Sequence, residues 1–392
     1  MDAIQQHNVS YICSSGADVG CSSYYDPGLA AYGTCVRNGC CAYSAQITES
    51  TLCDQAPAET CCFRNNVCSD DFCFDVYGTW VSQYRFSGSQ ADVDQGFAAL
   101  KEKGVKRVLF NVWANGVIFA NSATAQAAGV QFGNDRLAWA VQSARQYGLE
   151  LYAWFEYGSM ACYGSAPSNQ FANTASANGW LLYNMVNGQP VYNTDGTGDF
   201  VFMDISLQPV RDFLVGISRD IVANYDIDGI QYDDHFALPS GFSSVDSMGQ
   251  SSRYSQTESL MQAIKDASKS IKPSIHVSFS PSSLLFSRSK HNVDWADWVL
   301  RGVVEEVMPQ YYRTTAADFK RTLEEDLALI TRSDQVVAGI RLSGSSFPEN
   351  TPQSEVDQMI QISYSKGLKG ISFWFADNVI LGPYFVPFLR YC

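Results

Sequence analysis

From residue 76 onward, short apolar runs alternate with stretches of helical periodicity, and this rhythm is the strongest constraint on the fold. Such alternation is typical of parallel strands joined by crossover helices. Eight units in about 315 residues predict an α/β fold of the (β/α)8 TIM-barrel type. A doubly wound open sheet is the alternative, disfavoured because no Gly-rich dinucleotide or phosphate motif follows any run. The runs cover residues 78–84, 107–116, 150–160, 229–239, 276–283, 305–313, 335–342 and 370–378.

The clearest helical stretch is 206–225, where apolar residues recur every three or four positions. Ser206 is its predicted N-cap, and Pro209 lies in its first turn. The segment 161–202 is too long for a simple strand-to-helix connection, so we expect an elaborated loop over the barrel mouth. The other predicted helices cover residues 93–103, 136–147, 255–271, 317–331 and 355–366.

Cysteine usage divides the chain, since ten of the 12 cysteines precede residue 75. They include two adjacent pairs, which chelate metal poorly, and His7 is the only histidine nearby, so disulfides are favoured over zinc. We predict a small disulfide-stapled module over residues 1–75 and a barrel domain over residues 76–392. The connectivity stays open, and Cys162 and Cys392 could pair with each other or with the module. The ten are Cys13, Cys21, Cys35, Cys40, Cys41, Cys53, Cys61, Cys62, Cys68 and Cys73.

This cysteine density predicts an oxidising compartment and therefore a secreted, extracellular protein. The sequon Asn8-Val9-Ser10 is consistent with a glycoprotein. The chain opens MDAIQQHNVS, without the basic and apolar regions of a signal peptide, so either a signal has been removed or the predicted compartment is wrong.

The charge balance narrows the possible partners. The chain has 26 basic and 40 acidic residues, a formal charge of −14. Phosphate backbones and anionic membranes are bound by clustered Lys and Arg, so neither nucleic acid nor a membrane is expected as a partner. No stretch of about 18 apolar residues occurs, so no membrane-spanning segment is expected either.

Aromatic side chains stand beside acids and amides at the ends of the predicted strands. In a barrel of this type the active site forms at the carboxyl ends of the strands. Flat rings cover the apolar face of a sugar while polar groups bind its hydroxyls, so the pattern predicts a carbohydrate site. Core packing is the alternative for each single ring. The predicted substrate-binding residues are Asn111, Trp113, Trp154, Tyr157, His235, Ser280, Gln310, Tyr312, Arg313, Trp374 and Asp377.

Three acids are the predicted catalytic residues: Asp233 and Asp234 at the fourth strand's end and Glu156 at the third's. Adjacent carboxylates leaving a buried strand repel each other, so one can carry a raised pKa. A carboxylate beside a carboxylic acid is what glycoside hydrolysis requires. The alternatives are a divalent-metal site with His235, a structural hydrogen-bond cluster and, for Glu156, a salt bridge to Arg313.

Four other acids are expected at the opposite end of the barrel. Asp226 and Asp228 precede the fourth strand, and Glu305 and Glu306 begin the sixth. Residues at the amino ends of barrel strands contribute to stability rather than to chemistry. His276 begins its strand as well and is expected at the same end.

The segment NYDIDGIQYDDHFALP, with LYAWFEYGSM upstream and MPQYYR downstream, closely resembles a bacterial family, the hypothetical glycosyl-hydrolase-like family ten. The resemblance covers about residues 76–378 and implies a (β/α)8 barrel acting on polysaccharides. The adjacent acids also resemble those of hexosaminidases that use the substrate's N-acetyl group, which implies that Asp233 steadies the acetamido nucleophile and Asp234 is the general acid. A more distant likeness is to barrels that cleave partly deacetylated glucosamine polymers. The cysteine-rich start has no counterpart in the family.

We therefore predict a secreted glycoside hydrolase that needs no cofactor or metal and cleaves a neutral or amino-sugar polysaccharide. Asp233 would be the nucleophile or acetamido stabiliser, and Asp234 or Glu156 the proton donor. His235 and Arg313 would orient these carboxylates. The rings predicted to line subsites are Trp113, Trp154, Tyr157, Tyr312 and Trp374.

Two other classes stay open. One is a non-catalytic carbohydrate-binding or extracellular matrix protein, whose cysteine-rich module binds a glycan or a protein partner. The other is a metal-dependent hydrolase or deacetylase using Asp233, Asp234 and His235. Only four histidines occur in the chain, which disfavours a His-rich metal centre.

Overall fold

The computed structural model describes four stretches of the chain in full, residues 74–164, 168–192, 200–343 and 350–381. Nearer the amino terminus it describes the backbone of three short strands, which form an antiparallel sheet. Those strands are Tyr24–Asp26, Ala31–Arg37 and Glu59–Arg64.

The chain divides into two units. One comprises Phe74–Phe385, and the other comprises Met1–Cys73 with Val386–Cys392. The predicted disulfides of the amino-terminal module, the Asn8 sequon and Cys392 all lie outside the residues whose side chains are described.

Eight parallel strands form the sheet of the larger unit. They are β1 (Val76–Val81), β2 (Arg107–Asn111), β3 (Glu150–Phe155), β4 (Gly229–Asp233), β5 (His276–Ser280), β6 (Glu306–Val307), β7 (Val337–Arg341) and β8 (Gly370–Trp374). Strands β1 to β6 pair in chain order, β8 pairs with both β7 and β1, and isolated parallel bridges join Val307 to Val336 and Gln310 to Gly339. The predicted TIM barrel is confirmed. The open doubly wound alternative is wrong, because the strand order follows the chain around a closed circuit.

A helix follows each strand. The helices are α1 (Gln90–Glu102), α2 (Arg136–Tyr147), α3 (Gln208–Asn224), α4 (Gln250–Ile271), α5 (Trp295–Arg301), α6 (Ala316–Leu327), α7 (Gln353–Ser365) and α8 (Ala376–Leu381). Among the described residues, no helix combines the length and apolar character that crossing a bilayer requires.

The predicted element boundaries were right at most starts and wrong at most strand ends. The run 229–239 ends as a strand at Asp233, and the run 305–313 contains only the two-residue strand β6. The reason is that apolar and aromatic residues continue past each strand into loops that pack at the barrel mouth, so hydrophobicity does not mark where pairing stops. The short helices α5 and α8 were not predicted, and the run 370–378 extends into α8.

The predicted N-cap of α3 is also wrong. The helix is capped by Leu207, whose side chain makes no capping hydrogen bond, although Pro209 does lie in the first turn. Ser206 instead donates its hydroxyl to Asp204 Oδ1 at 2.6 Å. A short local turn before the helix, in which Asp204 Oδ1 also accepts from the Ser206 amide, therefore takes the hydroxyl that the helical pattern assigns to the cap.

Residues 160–202, between β3 and α3 and here called the mouth excursion, contain regular structure where a loop was predicted. Its strands Met160–Tyr163 and Phe200–Phe202 pair antiparallel. Between them lie the helix Gln170–Ala177 and a hairpin of Asn184–Val186 with Gln189–Val191.

Further short elements decorate the other connections. They are the strands Trp113–Ala114, Val117–Ile118 and Gln131–Phe132, the α-helices Ala123–Ala127, Ser243–Asp246 and Leu284–Phe286, the π-helix Ser287–His291 and the 3-10 helix Ser333–Gln335.

Alternation along β4 decides which side chains enter the barrel. Tyr232 faces outward, because its hydroxyl lies 2.8 Å from that of Ser218 on α3. Gln231 faces inward, where it accepts from Trp80 Nε1 at 2.7 Å and donates to Ser278 Oγ at 2.9 Å. Asp233, two residues on, therefore also faces inward. The apolar interior cluster consists of Val76, Trp80, Leu109, Tyr152, Trp154, Met308 and Val337.

The amino-terminal end of the barrel is closed by buried charges. Arg107 lies 2.6 Å from Glu306 and 2.7 Å from Glu150, and Lys369 lies 2.8 Å from Glu306. Burial raises the pKa of the Glu306 carboxyl, but the charges of Arg107 and Lys369 outweigh it and lower that pKa to about 2. Glu306 and Asp228 therefore lie at the amino-terminal end of the barrel, as the sequence predicted. Asp228 accepts a hydrogen bond from the Leu151 amide at 2.8 Å.

We predict that Glu306→Gln lowers the free energy of unfolding at pH 7 by about 3–5 kcal/mol, because it leaves Arg107 buried without its full countercharge. The folded-state pKa lies below the unfolded value, so the Glu306 contribution is complete above about pH 4.3 and is lost as pH falls towards 2. Urea unfolding at pH 7 and pH 3 measures both effects. Glu324→Gln, which removes an exposed pair with Lys366, is the control and should change stability far less. An equal effect of the two variants would contradict the prediction.

Candidate active site

Three acids meet at the carboxyl ends of β3 and β4. Asp233 is the last residue of β4, Asp234 follows it, and Glu156 follows the last residue of β3. The two strands are paired neighbours, with Trp154 opposite Gln231. The pairing therefore brings the predicted catalytic residues to one edge of the barrel mouth.

Asp233 is fixed by three N–H donors. Trp154 Nε1 donates to Oδ2 at 2.7 Å, the Asp234 amide donates to Oδ1 at 2.7 Å, and Gln310 Nε2 also donates to Oδ1. Burial and the neighbouring charges of Asp234 and Glu156 raise the pKa of Asp233 well above its usual range, against these donors, which favour the ionised form. The donors come from β3, β4 and the segment after β6, so Asp233 has one orientation.

The pKa of Asp234 is shifted in the opposite direction from that of Asp233. Burial raises its pKa, but the imidazoles of His235 and His291 and the Ser282 hydroxyl outweigh burial and lower the pKa of Asp234. Ser282 Oγ donates to Oδ2 at 2.6 Å, and His235 Nδ1 lies 3.5 Å from Oδ1. The adjacent acids thus differ in proton affinity, as two coupled carboxyls in unlike surroundings should.

Glu156 is the third acid. Asn111 Nδ2 donates to its Oε2, and burial raises the pKa of Glu156 to about 8. The salt bridge considered for this residue is not formed: within the described stretches Arg313 makes no ion pair with Glu156, and it donates instead to the Tyr312 carbonyl at 3.2 Å.

The loops after β3 and β4 are locked together by their backbones. Ser159 donates to the His235 carbonyl from both its amide, at 3.0 Å, and its hydroxyl, at 2.8 Å. Gly158 has φ +48°, and a Cβ there would lie 2.3 Å from the Phe236 nitrogen. Only glycine fits this approach, which holds Glu156 in place relative to Asp234.

Two of the predicted subsite rings are buried. Trp113 and Trp154 have no exposed surface. Trp113 donates to the Gly158 carbonyl at 3.2 Å and packs on Phe171, with ring centroids 5.4 Å apart. Core packing therefore describes Trp113, and Trp154 serves the site through its hydrogen bond to Asp233. The prediction that these rings line subsites is corrected accordingly.

Other predicted rings do reach the mouth. Tyr312 and Trp374 stack with centroids 6.0 Å apart and 29° between their planes, and both are partly exposed. Tyr157 is also partly exposed, with its ring 6.3 Å from that of His235. These four side chains lie at the barrel mouth and are partly exposed, and their role in binding a sugar stays a prediction.

The polar residues that the sequence predicted to bind substrate differ from one another in exposure and in their hydrogen-bond partners. Asn111 and Ser280 are buried, and Gln310 is partly exposed. Asn111 donates to Glu156 and Gln310 donates to Asp233, so both amides orient acids that the sequence predicts to be catalytic. Asp377 lies 2.8 Å from Arg85 in an ion pair at the edge of the mouth.

Sequence reasoning missed four supports of the site. Trp80, Gln231 and Ser278 form a hydrogen-bonded chain directly beneath Asp233. The alternation of β4 is a signal that could have found Gln231, since it shares the face of Asp233. Ser282 lies beyond its strand, and no local pattern points to it.

Asp233, Asp234 and His235 also meet a geometric requirement for a metal site, since one ligand atom from each lies within 4.8 Å of the others. Both oxygens of Asp233 already accept N–H donors, and Asp234 Oδ2 accepts from Ser282. Each carboxylate oxygen has two lone pairs, so these hydrogen bonds leave ligand positions open, and the three residues fit an acid pair or a metal site.

A barrel with paired acids at the ends of β3 and β4 is an arrangement that glycosidases use. The family model "Glycosyl hydrolase-like 10" matches residues 75–256 and 240–342 of the chain. The chain belongs to this glycosyl hydrolase-like family, since the matches span more than half of it. The family predicted from the fourth-strand motif is thereby confirmed.

The chain is also similar to curated relatives. Glycosyl hydrolase DigH from Escherichia coli K12 and its counterpart from Shigella flexneri are each 23% identical over 254 residues, covering 54% of this chain and 56% of the relative. The chain thus matches only about half the length of these relatives.

Solved structures share the barrel. The PgaB (BpsB) glycoside hydrolase domain from Bordetella bronchiseptica matches with a TM-score of 0.59 and 10% identity, over 79% of this chain and 96% of that one. The catalytic domain of β-amylase from Paenibacillus polymyxa matches with a TM-score of 0.52 and 10% identity, over 80% and 94%. At these identities the likeness supports the fold alone.

We predict that Ser282→Ala raises the pKa of Asp234, because the ionised carboxylate loses a hydrogen bond. Ser282→Thr keeps the hydroxyl and should preserve the lowered pKa. Carbon-13 NMR titration of the side-chain carboxyl carbons measures the shift, with Asp234→Asn to assign the signal. Ser289→Ala is the control, since that hydroxyl in the same segment donates to the Phe286 carbonyl. An unchanged Asp234 titration in Ser282→Ala would contradict the role of Ser282.

Proposed function

We propose that this protein is a glycoside hydrolase that cleaves a polysaccharide of neutral or amino sugars. The observation that carries the proposal is the convergence of three carboxyl groups of unequal proton affinity at the ends of β3 and β4. Membership of a glycosyl hydrolase-like family and the names of the relatives support the same class of reaction.

Glu156 is the proton donor in this proposal. With a pKa of about 8, it keeps its proton at neutral pH. Asn111 engages Oε2, which leaves Oε1 to carry the proton towards the leaving oxygen. Asp234, the other donor that the sequence offered, has a lowered pKa and is ionised at the same pH, so it suits the role less well.

The Asp233–Asp234 pair supplies negative charge to the sugar as its bond breaks. Cleavage of a glycosidic bond passes through an oxocarbenium-like transition state, which a carboxylate stabilises by attack or by charge. Asp233 is the nucleophile or the stabiliser of an acetamido group in its ionised form, which its three N–H donors favour and which burial and the neighbouring acids oppose. At neutral pH the negative charge of the pair therefore resides first on Asp234, whose pKa is lowered. Preorganised donors such as those of Asp233 lower the barrier without reorganisation during the reaction.

The substrate class follows from charge and shape. The mouth holds three carboxyls, and the chain carries a formal charge of −14, so protonated amino sugars are attracted and acidic polymers repelled. Tyr312 and Trp374 offer stacked rings for the apolar face of a sugar. We further propose that the enzyme acts outside the cell, which the clustered cysteines before residue 75 support.

We predict that Glu156→Gln lowers the rate of product formation by about 10²–10⁴-fold, because the general acid is lost. In the wild type, kcat/KM should fall above pH 8 as Glu156 ionises. Mass spectrometry of products from partly deacetylated chitin, chitin, mannan and starch measures the activity. Glu102→Gln, on the exposed end of α1, is the matched control and should keep full activity.

The same variant gives a readout that does not depend on substrate. The folded-state pKa of Glu156 lies above its unfolded value, so ionisation destabilises the fold as pH rises from about 4.3 to 8. Glu156→Gln should therefore unfold at higher urea than the wild type at pH 9 and show no gain at pH 4.

Several outcomes would overturn the proposal. Full activity in Asp233→Asn would exclude the acid pair from the reaction. Glycan binding without any product, unchanged when Asp233 and Asp234 are both neutralised, would favour the carbohydrate-binding alternative. Loss of activity in a chelator, restored by a divalent metal, would favour the metal-dependent hydrolase.

A further inference from the structure

A row of aromatic rings leads outward from the acids along the mouth excursion. The His235 ring lies 5.3 Å from that of Phe200, and Phe200 lies 5.3 Å from Tyr163. Tyr163, at the outer end, is 54% exposed. Neither Phe200 nor Tyr163 is among the binding residues that the sequence predicted.

The row is held by backbone pairing rather than by burial. Tyr163 and Phe200 are directly opposite each other in the antiparallel pair of Met160–Tyr163 with Phe200–Phe202. The Tyr163 amide also donates to Asn115 Oδ1 at 3.0 Å. Because the backbone of this exposed ring is already ordered, a ligand that covers the ring does not have to order a loop.

A second aromatic pair stands on other strands of the same mouth. Tyr312 follows β6, and Trp374 ends β8, whereas the row belongs to the connections after β3 and β4. In an eight-stranded barrel β8 lies opposite β4. Asp233 and Asp234 belong to β4, and Trp154 bridges Asp233 to Trp374, with its ring 5.8 Å from that of Trp374. Exposed rings therefore flank the acids on both sides.

We propose that Tyr163, Phe200 and His235 form a glycan-binding platform for sugar units beyond the cleaved bond, opposite the Tyr312–Trp374 pair. A chain held on both sides of the acids is cleaved internally, so the substrate is a chain of several sugar units. The cleavage part rests on the proposed function, whereas the binding part does not.

The occupant is a polysaccharide chain because the row is continuous with the acid site. A ligand bound on Tyr163 and Phe200 leads directly to His235 and from there to Asp234, 3.5 Å away. Rings that present both an apolar face and, in Tyr163, a hydroxyl suit a sugar, which has apolar faces and hydroxyl edges.

The test is binding of glucosamine oligosaccharides, a hexamer and a dimer, measured by calorimetry with the full chain in the Glu156→Gln background, in which hydrolysis is slow compared with the titration. We expect the hexamer to bind more tightly than the dimer. Tyr163→Ala should weaken hexamer binding about 3–10-fold and leave dimer binding unchanged, while Tyr163→Phe keeps the ring and the affinity. Phe200→Leu should weaken the hexamer similarly. Leu300→Ala removes an exposed apolar side chain of α5 and is the control.

The outcomes separate this proposal from the proposed function. Equal losses on hexamer and dimer, no loss in Tyr163→Ala, or no hexamer binding at all would overturn the platform. Size-exclusion analysis of early products from a glucosamine polymer tests internal cleavage: release of single units from the start would overturn that part. Length-dependent binding without hydrolysis by the wild type would leave the platform standing and remove the enzymatic function.

Discussion

The two-residue alternation along β4 determines most of what the barrel can do. It turns Ile230 and Tyr232 towards the helices and leaves Gln231 and Asp233 on the axis, where Trp80, Ser278, Trp154 and Gln310 reach them. A carboxyl on the axis of a barrel is surrounded by neighbouring strands, so it is both desolvated and precisely oriented. Shifting β4 by one residue would send both polar side chains into the helical layer.

Buried carboxyl groups have different partners at the two ends of the barrel, and their pKa values shift in opposite directions. At the amino end, Glu306 is compensated by Arg107 and Lys369, and its pKa falls to about 2. At the carboxyl end, Glu156 has an amide partner instead of a cation, and its pKa rises to about 8. The first arrangement favours a permanent charge and stability, whereas the second favours a group that can hold and release a proton.

The barrel and the position of the three acids could be predicted from the sequence because strand rhythm and strand ends are local properties. The family was predicted separately, from the resemblance of the fourth-strand motif. The sequence was insufficient for the roles of Trp113 and Trp154, since burial depends on what packs against a ring and not on its neighbours in the chain. Ser282 and Gly158 could not be found either, because each acts through a residue from a different strand's loop. The disulfides predicted for residues 1–75 stay a prediction, because the cysteine side chains there lie outside the described part of the structure.

The backbone contact at Gly158 and Ser159 has a consequence for how such a protein could change over time. The chain passes this contact immediately after Glu156 and only then enters the mouth excursion. Insertions, deletions or new rings in the excursion therefore fall outside the segment that sets the spacing of Glu156 and Asp234. For the proposed hydrolase, rebuilding the mouth excursion would change the polymer that is bound, while the acids keep their relative positions.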